Sequence, residues 1–198
     1  MMKKVTCSVY RGIHEESQHQ INCLVLNQDQ KILFQSGDIN REYCLRSTLK
    51  PFQCAASLDR DTDIKYNFSE KEIAITCASH YGEEAQVEVV RSILKKINLT
   101  EHDLECGFHF PINKQTKSKL YSKEKKTSNI YNNCSGKHSG LLALIKNLDL
   151  PTKGYIAHTH PIHQHINNYI EKVAHVKTKA FAVDGCSLPT PYLSLFNL

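Results

Sequence analysis

No C-x-x-C pair occurs in this chain, although it carries 8 cysteines: Cys7, Cys23, Cys44, Cys54, Cys77, Cys106, Cys134 and Cys186. A disulfide-stapled secreted mini-domain crowds its cysteines, so this spread excludes such a framework and fits reduced thiols in the cytoplasm. Long apolar runs are missing too. Nothing approaches the ~20 residues needed to cross a bilayer. Met1-Met2-Lys3-Lys4 is charged like a signal peptide, but the apolar run behind it is far too short for one. Internal repeats and low-complexity segments are also absent. These absences predict a soluble, cytoplasmic protein with no membrane partner. Aromatics are scarce where the charge is densest. Lys114, Lys117, Lys119, Lys123, Lys125 and Lys126 are accompanied only by Tyr121, which excludes a stacking nucleic-acid face and predicts a solvated loop.

What is present suffices for one core: 198 residues, 40% of them hydrophobic, predict a single domain over residues 1–198. The chain turns on Asn132-Asn133-Cys134-Ser135-Gly136-Lys137-His138-Ser139-Gly140, which runs into the apolar Leu141-Leu142-Ala143-Leu144-Ile145. A thiol, an amine and an imidazole stand where a Gly-containing turn becomes a buried helix, a junction that fixes reactive groups at a cleft.

Residues 4–10 alternate as a strand, and 22–26 with 31–35 bracket the turn Asn27-Gln28-Asp29-Gln30, predicting an N-terminal antiparallel sheet. Pro51 is tolerated only in about the first helical turn, so Ser47 and Lys50 fall at a helix start and share a face. Ser69-Glu70-Lys71-Glu72 is a capping box, and Val87, Val90, Ile93, Leu94 and Ile97 form one core stripe. Pro161 opens another helix carrying Ile162, Ile166, Tyr169, Ile170 and Val173, and His158, His160, His163 and His165 at its entrance are read as solvated. A strand at 180–183 ends in Asp184-Gly185-Cys186, and a further helix is expected from near Pro191. The apolar stop at Leu198, without cap or polar tail, predicts a truncated chain.

Ser47-x-x-Lys50 is an arrangement in which a desolvated amine can take a serine's proton. Ser92-x-x-Lys95 and Ser122-x-x-Lys125 match as well, and only Ser47 has the helix-start setting with Arg46 beside it. Ser79 and His80 are adjacent in a turn and should point apart. Cys134 and Cys186 with one nitrogen donor would make a three-ligand zinc site with an open position. Ligand chemistry favours His138 as that nitrogen, since an amine must first lose a proton; two buried, inert thiols are the alternative.

Arg46-Ser47-Thr48-Leu49-Lys50-Pro51, Ser79-His80-Tyr81-Gly82-Glu83, Asn133-Cys134-Ser135-Gly136-Lys137-His138, His160-Pro161 and Asp184-Gly185-Cys186-Ser187-Leu188-Pro189-Thr190 occur in this order. In this the chain resembles the asparaginase II family of bacterial amidohydrolases, the rhizobial thermolabile type. The resemblance implies an α+β, serine β-lactamase-like fold, an antiparallel sheet with flanking helices, incomplete at the C-terminus. It implies a homodimer that hydrolyses the small molecule L-asparagine to L-aspartate and ammonia. Ser47 is implied as nucleophile with Lys50 as its partner, and Ser79 as a second active-site serine whose lysine lies beyond this chain's end. Zinc is implied on Cys134, Lys137 and Cys186, which puts Lys137 where ligand chemistry alone chose His138. His138 and Asp184 stand next to the site, and Arg46 and His80 are substrate-pocket candidates by position. Two other readings compete: an inactive zinc-binding fragment, and a penicillin-recognising acyl-serine enzyme. The second lacks its Ser-Asp-Asn and Lys-Thr-Gly elements here.

Overall fold

Helix α6 (Ser135–Asn147) is buried from Ser135 through Ile145, and α1 (Lys50–Leu58), α2 (Thr62–Lys65), α3 (Glu70–Thr76) and α4 (Glu84–Lys96) pack around it. The computed structural model describes residues 5–122 and 127–198. A helix enclosed on all sides has no polar face, and Leu141 to Ile145 supply its apolar one. Gly136 and Gly140, one turn apart, admit α3: a Cβ on Gly136 would stand 2.5 Å from the Ile75 carbonyl oxygen, and one on Gly140 2.6 Å from Thr76 Cγ2. Backbone cannot yield there, so Gly136→Ala should destabilise by about 1–3 kcal/mol, the usual cost of overpacking. Urea melts should show a lowered midpoint beside an unchanged Gly185→Ala control, whose Cβ would meet nothing within 4 Å. An unchanged Gly136→Ala midpoint would deny this close approach.

The capping box at Ser69 is present and starts α3, with Ser69 Oγ accepting from Glu72 N–H while the Glu72 carboxylate accepts from Ser69 N–H. Helix α4 buries Val87, Val90, Ile93 and Leu94, and Ile97 follows at its C-cap. Helix α7 (Pro161–Ala174) buries Ile162, Ile166 and Ile170, with Tyr169 half-buried and Val173 exposed. None of the described helices is long and apolar enough to cross a membrane.

The strands form three small antiparallel sheets, so the molecule is mixed α and β. Strand β1 (Val5–Arg11) pairs with β2 (His14–Ile21), and β3 (Cys23–Leu26) with β4 (Ile32–Ser36). The Asn27 side chain closes the second hairpin by accepting from Asp29 N–H and Lys31 N–H. The third sheet runs β5-β7-β6, from β5 (Glu42–Cys44), β6 (Phe181–Val183) and the central β7 (Pro189–Ser194).

β7 stands where a helix was expected from Pro191. Pro189 and Pro191 disfavour helical backbone at the residues before them, Leu188 and Thr190, and so keep the segment extended. Their carbonyls still accept, and Pro191 O receives the Leu45 N–H at 3.1 Å. The lysine-rich segment is likewise not a loop at its start: α5 (Lys114–Ser122) buries Thr116 and Leu120 and places Lys117 over the stacked rings of Phe110 and Tyr121. Lys123, Lys125 and Lys126 lie outside the described residues. The histidine tract is only half solvated. His160 caps α7 by accepting from Ile162 N–H, His163 is buried with Nε2 on the Tyr155 carbonyl at 2.7 Å, and His158 stays exposed with its ring against Phe181.

Candidate active site

A 3₁₀ turn, Arg46–Leu49, feeds directly into α1, and Pro51 near its start leaves the helix intact. In a 3₁₀ turn residues three apart eclipse, and the Lys50 N–H bonds the Ser47 carbonyl. Lys50 is 1% exposed and its Nζ donates to Ser79 Oγ at 2.5 Å. Ser79 lies in the turn after α3 with its side open to solvent. Ser47 is exposed as well, and its hydroxyl makes no hydrogen bond among the described residues. The amine expected to face Ser47 therefore spends its bond on the second serine. Of the look-alike motifs, Ser92 Oγ is engaged by Glu72 at 2.8 Å, and Lys125 lies outside the described residues.

Ser79 and His80 do point apart. The His80 Nδ1 accepts from Gly82 N–H at 3.1 Å, and its Nε2 lies 2.8 Å from Ser135 Oγ. Because Ser135 Oγ donates to the Ile130 carbonyl, Nε2 must carry the proton and donate to Ser135. Burial, then the charge of Lys50, push His80 down to about 4. It is a neutral strut between the Ser79 turn and the head of α6, with both ring nitrogens already committed.

Cys134 is the N-cap of α6, and its N–H donates to Asn132 Oδ1 at 2.8 Å while Asn132 Nδ2 ties back to the Cys106 and Gly107 carbonyls. The 184–188 turn, closed by Asp184 N–H on Leu188 O and by Ser187 in the left-handed region at φ 72°, presents Cys186 to this head. Lys137 Nζ donates to Cys186 Sγ at 2.8 Å. The neighbouring Cys186 and then burial push the Cys134 thiol well above its ordinary value, while Cys134, His138 and Lys137 pull Cys186 well below its own.

Asp184 joins the two halves of the site. Its Oδ2 is 3.9 Å from Lys137 Nζ and its Oδ1 is 3.4 Å from Arg46 Nε. Arg46 is largely exposed, with its backbone in the left-handed region at φ 47° and its N–H on Thr190 Oγ1, so the residue ahead of Ser47 is fixed by the far end of the chain. Such backbone concentrates at functional sites.

His138 is fully buried, and Nδ1 lies 2.8 Å from the hydroxyl of Tyr155, while Nε2 has no hydrogen-bond partner. A residue without solvent access cannot meet substrate directly, so its place is behind the thiols. Neither Tyr155 nor Ser135 is foreseeable from sequence: Tyr155 sits in a loop without motif, and Ser135 reads as part of a turn. Behind Lys137 a void of about 20 Å³, lined by Gln53, Cys54, Thr76 and Gly140, has room for one water, and Gln53 Oε1 is otherwise unpartnered.

Among the described residues no three His, Cys, Asp or Glu side chains gather as a metal-binding group. Cys134, Cys186 and Lys137 nevertheless bring two sulfurs and a nitrogen together, a donor set that suits zinc. The L-asparaginase II family matches residues 7–198. A comparison with curated proteins gave no match. With all but its first few residues covered by that match, the chain belongs to the L-asparaginase II family.

Proposed function

We propose that this chain hydrolyses L-asparagine to L-aspartate and ammonia through an acyl-serine intermediate on a serine β-lactamase-like scaffold. The observation that carries the reading is the buried Lys50 amine on Ser79 Oγ, one eclipsed turn from Ser47. Ser47 attacks the side-chain carboxamide carbon, and its proton passes to the Lys50–Ser79 pair. The same pair protonates the departing nitrogen, which leaves as ammonia; water then hydrolyses the ester and frees the serine. Arg46, exposed and anchored on Asp184, is placed to meet the substrate's α-carboxylate. Cys134, Lys137 and Cys186 would hold the zinc implied by the family, which when bound supplies a Lewis acid for a substrate oxygen. Lys137 must be neutral to serve as a ligand, and the site therefore empties as pH falls.

The Lys50–Ser79 bond also favours a second reading, in which Ser79 is the nucleophile and Ser47 assists. Mass spectrometry of acid-quenched turnover decides between them, because the aspartyl adduct marks one peptide. The adduct is expected on Ser47, with Ser47→Ala cutting ammonia release by about 10³-fold or more. An adduct on Ser79 with Ser47→Ala still active would transfer the role, and an adduct on neither would end the acyl-serine mechanism. L-glutamine should react far more slowly, because its extra methylene displaces the amide from a fixed nucleophile.

A further inference from the structure

The buried hydroxyl of Tyr155 accepts from the Glu105 N–H at 2.8 Å and lies 2.8 Å from His138 Nδ1. A phenol has one proton to place. The backbone N–H cannot take it, so among the described residues the acceptor is His138 Nδ1. An Nδ1 that accepts a hydrogen bond carries no proton of its own, so the ring is the neutral imidazole. Its single proton then sits on Nε2, which has no hydrogen-bond partner. A buried N–H without an acceptor is costly, so the tautomer is dictated from the Tyr155 side of the ring and not by a partner on Nε2.

A histidine that ligates a metal ordinarily donates its other N–H outward to a carbonyl or carboxylate. Here the polarity is reversed, because the outer group is itself a donor. We infer that Tyr155 fixes His138 as the Nε2–H tautomer, so that the ring offers a proton and not a lone pair at Nε2 and is barred from ligating a metal there. Tyr155 and His138 are then positioning residues, and Lys137 is left as the nitrogen ligand. The metal part of this inference rests on the zinc reading above; the tautomer does not.

The test is a two-bond proton–nitrogen correlation spectrum of protein labelled at the histidine ring nitrogens, without zinc and with one equivalent of zinc, assigned by comparison with His138→Gln. The Nε2–H pattern is expected in both samples, and a mixture of tautomers in Tyr155→Phe. Zinc dissociation constants from chelator competition should rise about tenfold or more in Tyr155→Phe and His138→Leu. His138→Gln, whose carboxamide N–H₂ reaches the Nε2 position, should stay within about threefold of native, a rescue that packing alone would not give. A protonated Nδ1 in the native protein would overturn the inference. So would a zinc-induced Nε2 shift of a directly coordinated nitrogen, or native zinc affinity in Tyr155→Phe. A native protein that takes up no zinc would remove the metal from the proposed function, while the tautomer pattern still decides the role of Tyr155.

Discussion

Lys50→Met should cut ammonia release from L-asparagine by about 10³-fold or more and leave the protein folded. Methionine fills nearly the volume of the lysine stem, and replacing a buried polar group by an apolar side chain of similar shape can be nearly neutral for stability. Ser79, which loses its donor, is exposed and can bond water instead. What disappears is the amine that, in the proposed mechanism, carries a proton between serine and leaving group. Lys50→Arg should not restore activity, since a guanidinium cannot give up its proton to act as a base. Thermal unfolding beside ammonia assays separates the effects, and turnover within about tenfold of native in the methionine variant would remove Lys50 from the chemistry.

The second large effect is acid sensitivity. His80 and His163 are both buried and both pushed down to about 4, chiefly by desolvation. Their pKa values are lower folded than unfolded, so between about 6.5 and about 4 the unfolded chain binds protons that the folded one refuses. The stability they support is fully present above the unfolded value and is lost as pH falls through the folded one. Each accounts for something on the order of 3 kcal/mol across that window, against a total stability of about 5–15 kcal/mol for a typical protein. Urea midpoints at pH 7, 6 and 5 should fall steeply, and the His80→Gln/His163→Gln double variant should show a slope shallower by about two protons. A native slope below one proton per molecule would contradict this account.

Elements that local pattern specifies were legible in the sequence: the Ser69 cap, the α4 stripe, the Asn27 turn and the start of α7 at Pro161. The sites of failure share a cause. Strand β2, His14–Ile21, is exposed at nearly every position, so it carries no alternation to read. Near Pro191 the apolar run resembles the start of a helix, while a second proline two residues earlier and partner strands on both sides keep the backbone extended. His160 and His163 look solvated as a tract but are drawn inward by the carbonyls of Pro151 and Tyr155. For the candidate site, residue types were legible and pairings were not. That Lys50 meets Ser79 rather than Ser47 is set by how α1 lies against α3, and that Tyr155 reaches His138 depends on a loop folding back over α6.

Strand β7 has a consequence for the order in which the molecule is made. Cys44 pairs with Tyr192 and Arg46 rests on Thr190, closures of roughly 150 residues whose entropic cost grows only logarithmically with length but must be met before the contact returns anything. Helices α1 to α4 pack around α6, and α7 packs on α1, all upstream of β7, so a chain emerging from its N-terminus can assemble them first. Until β7 arrives, β5 and β6 have no common neighbour, and the Arg46 N–H lacks its Thr190 partner. A nascent chain thus passes through a stage that has its helical body while the candidate site is still unassembled, and only when translation has passed residue 194 can the β5-β7-β6 sheet close.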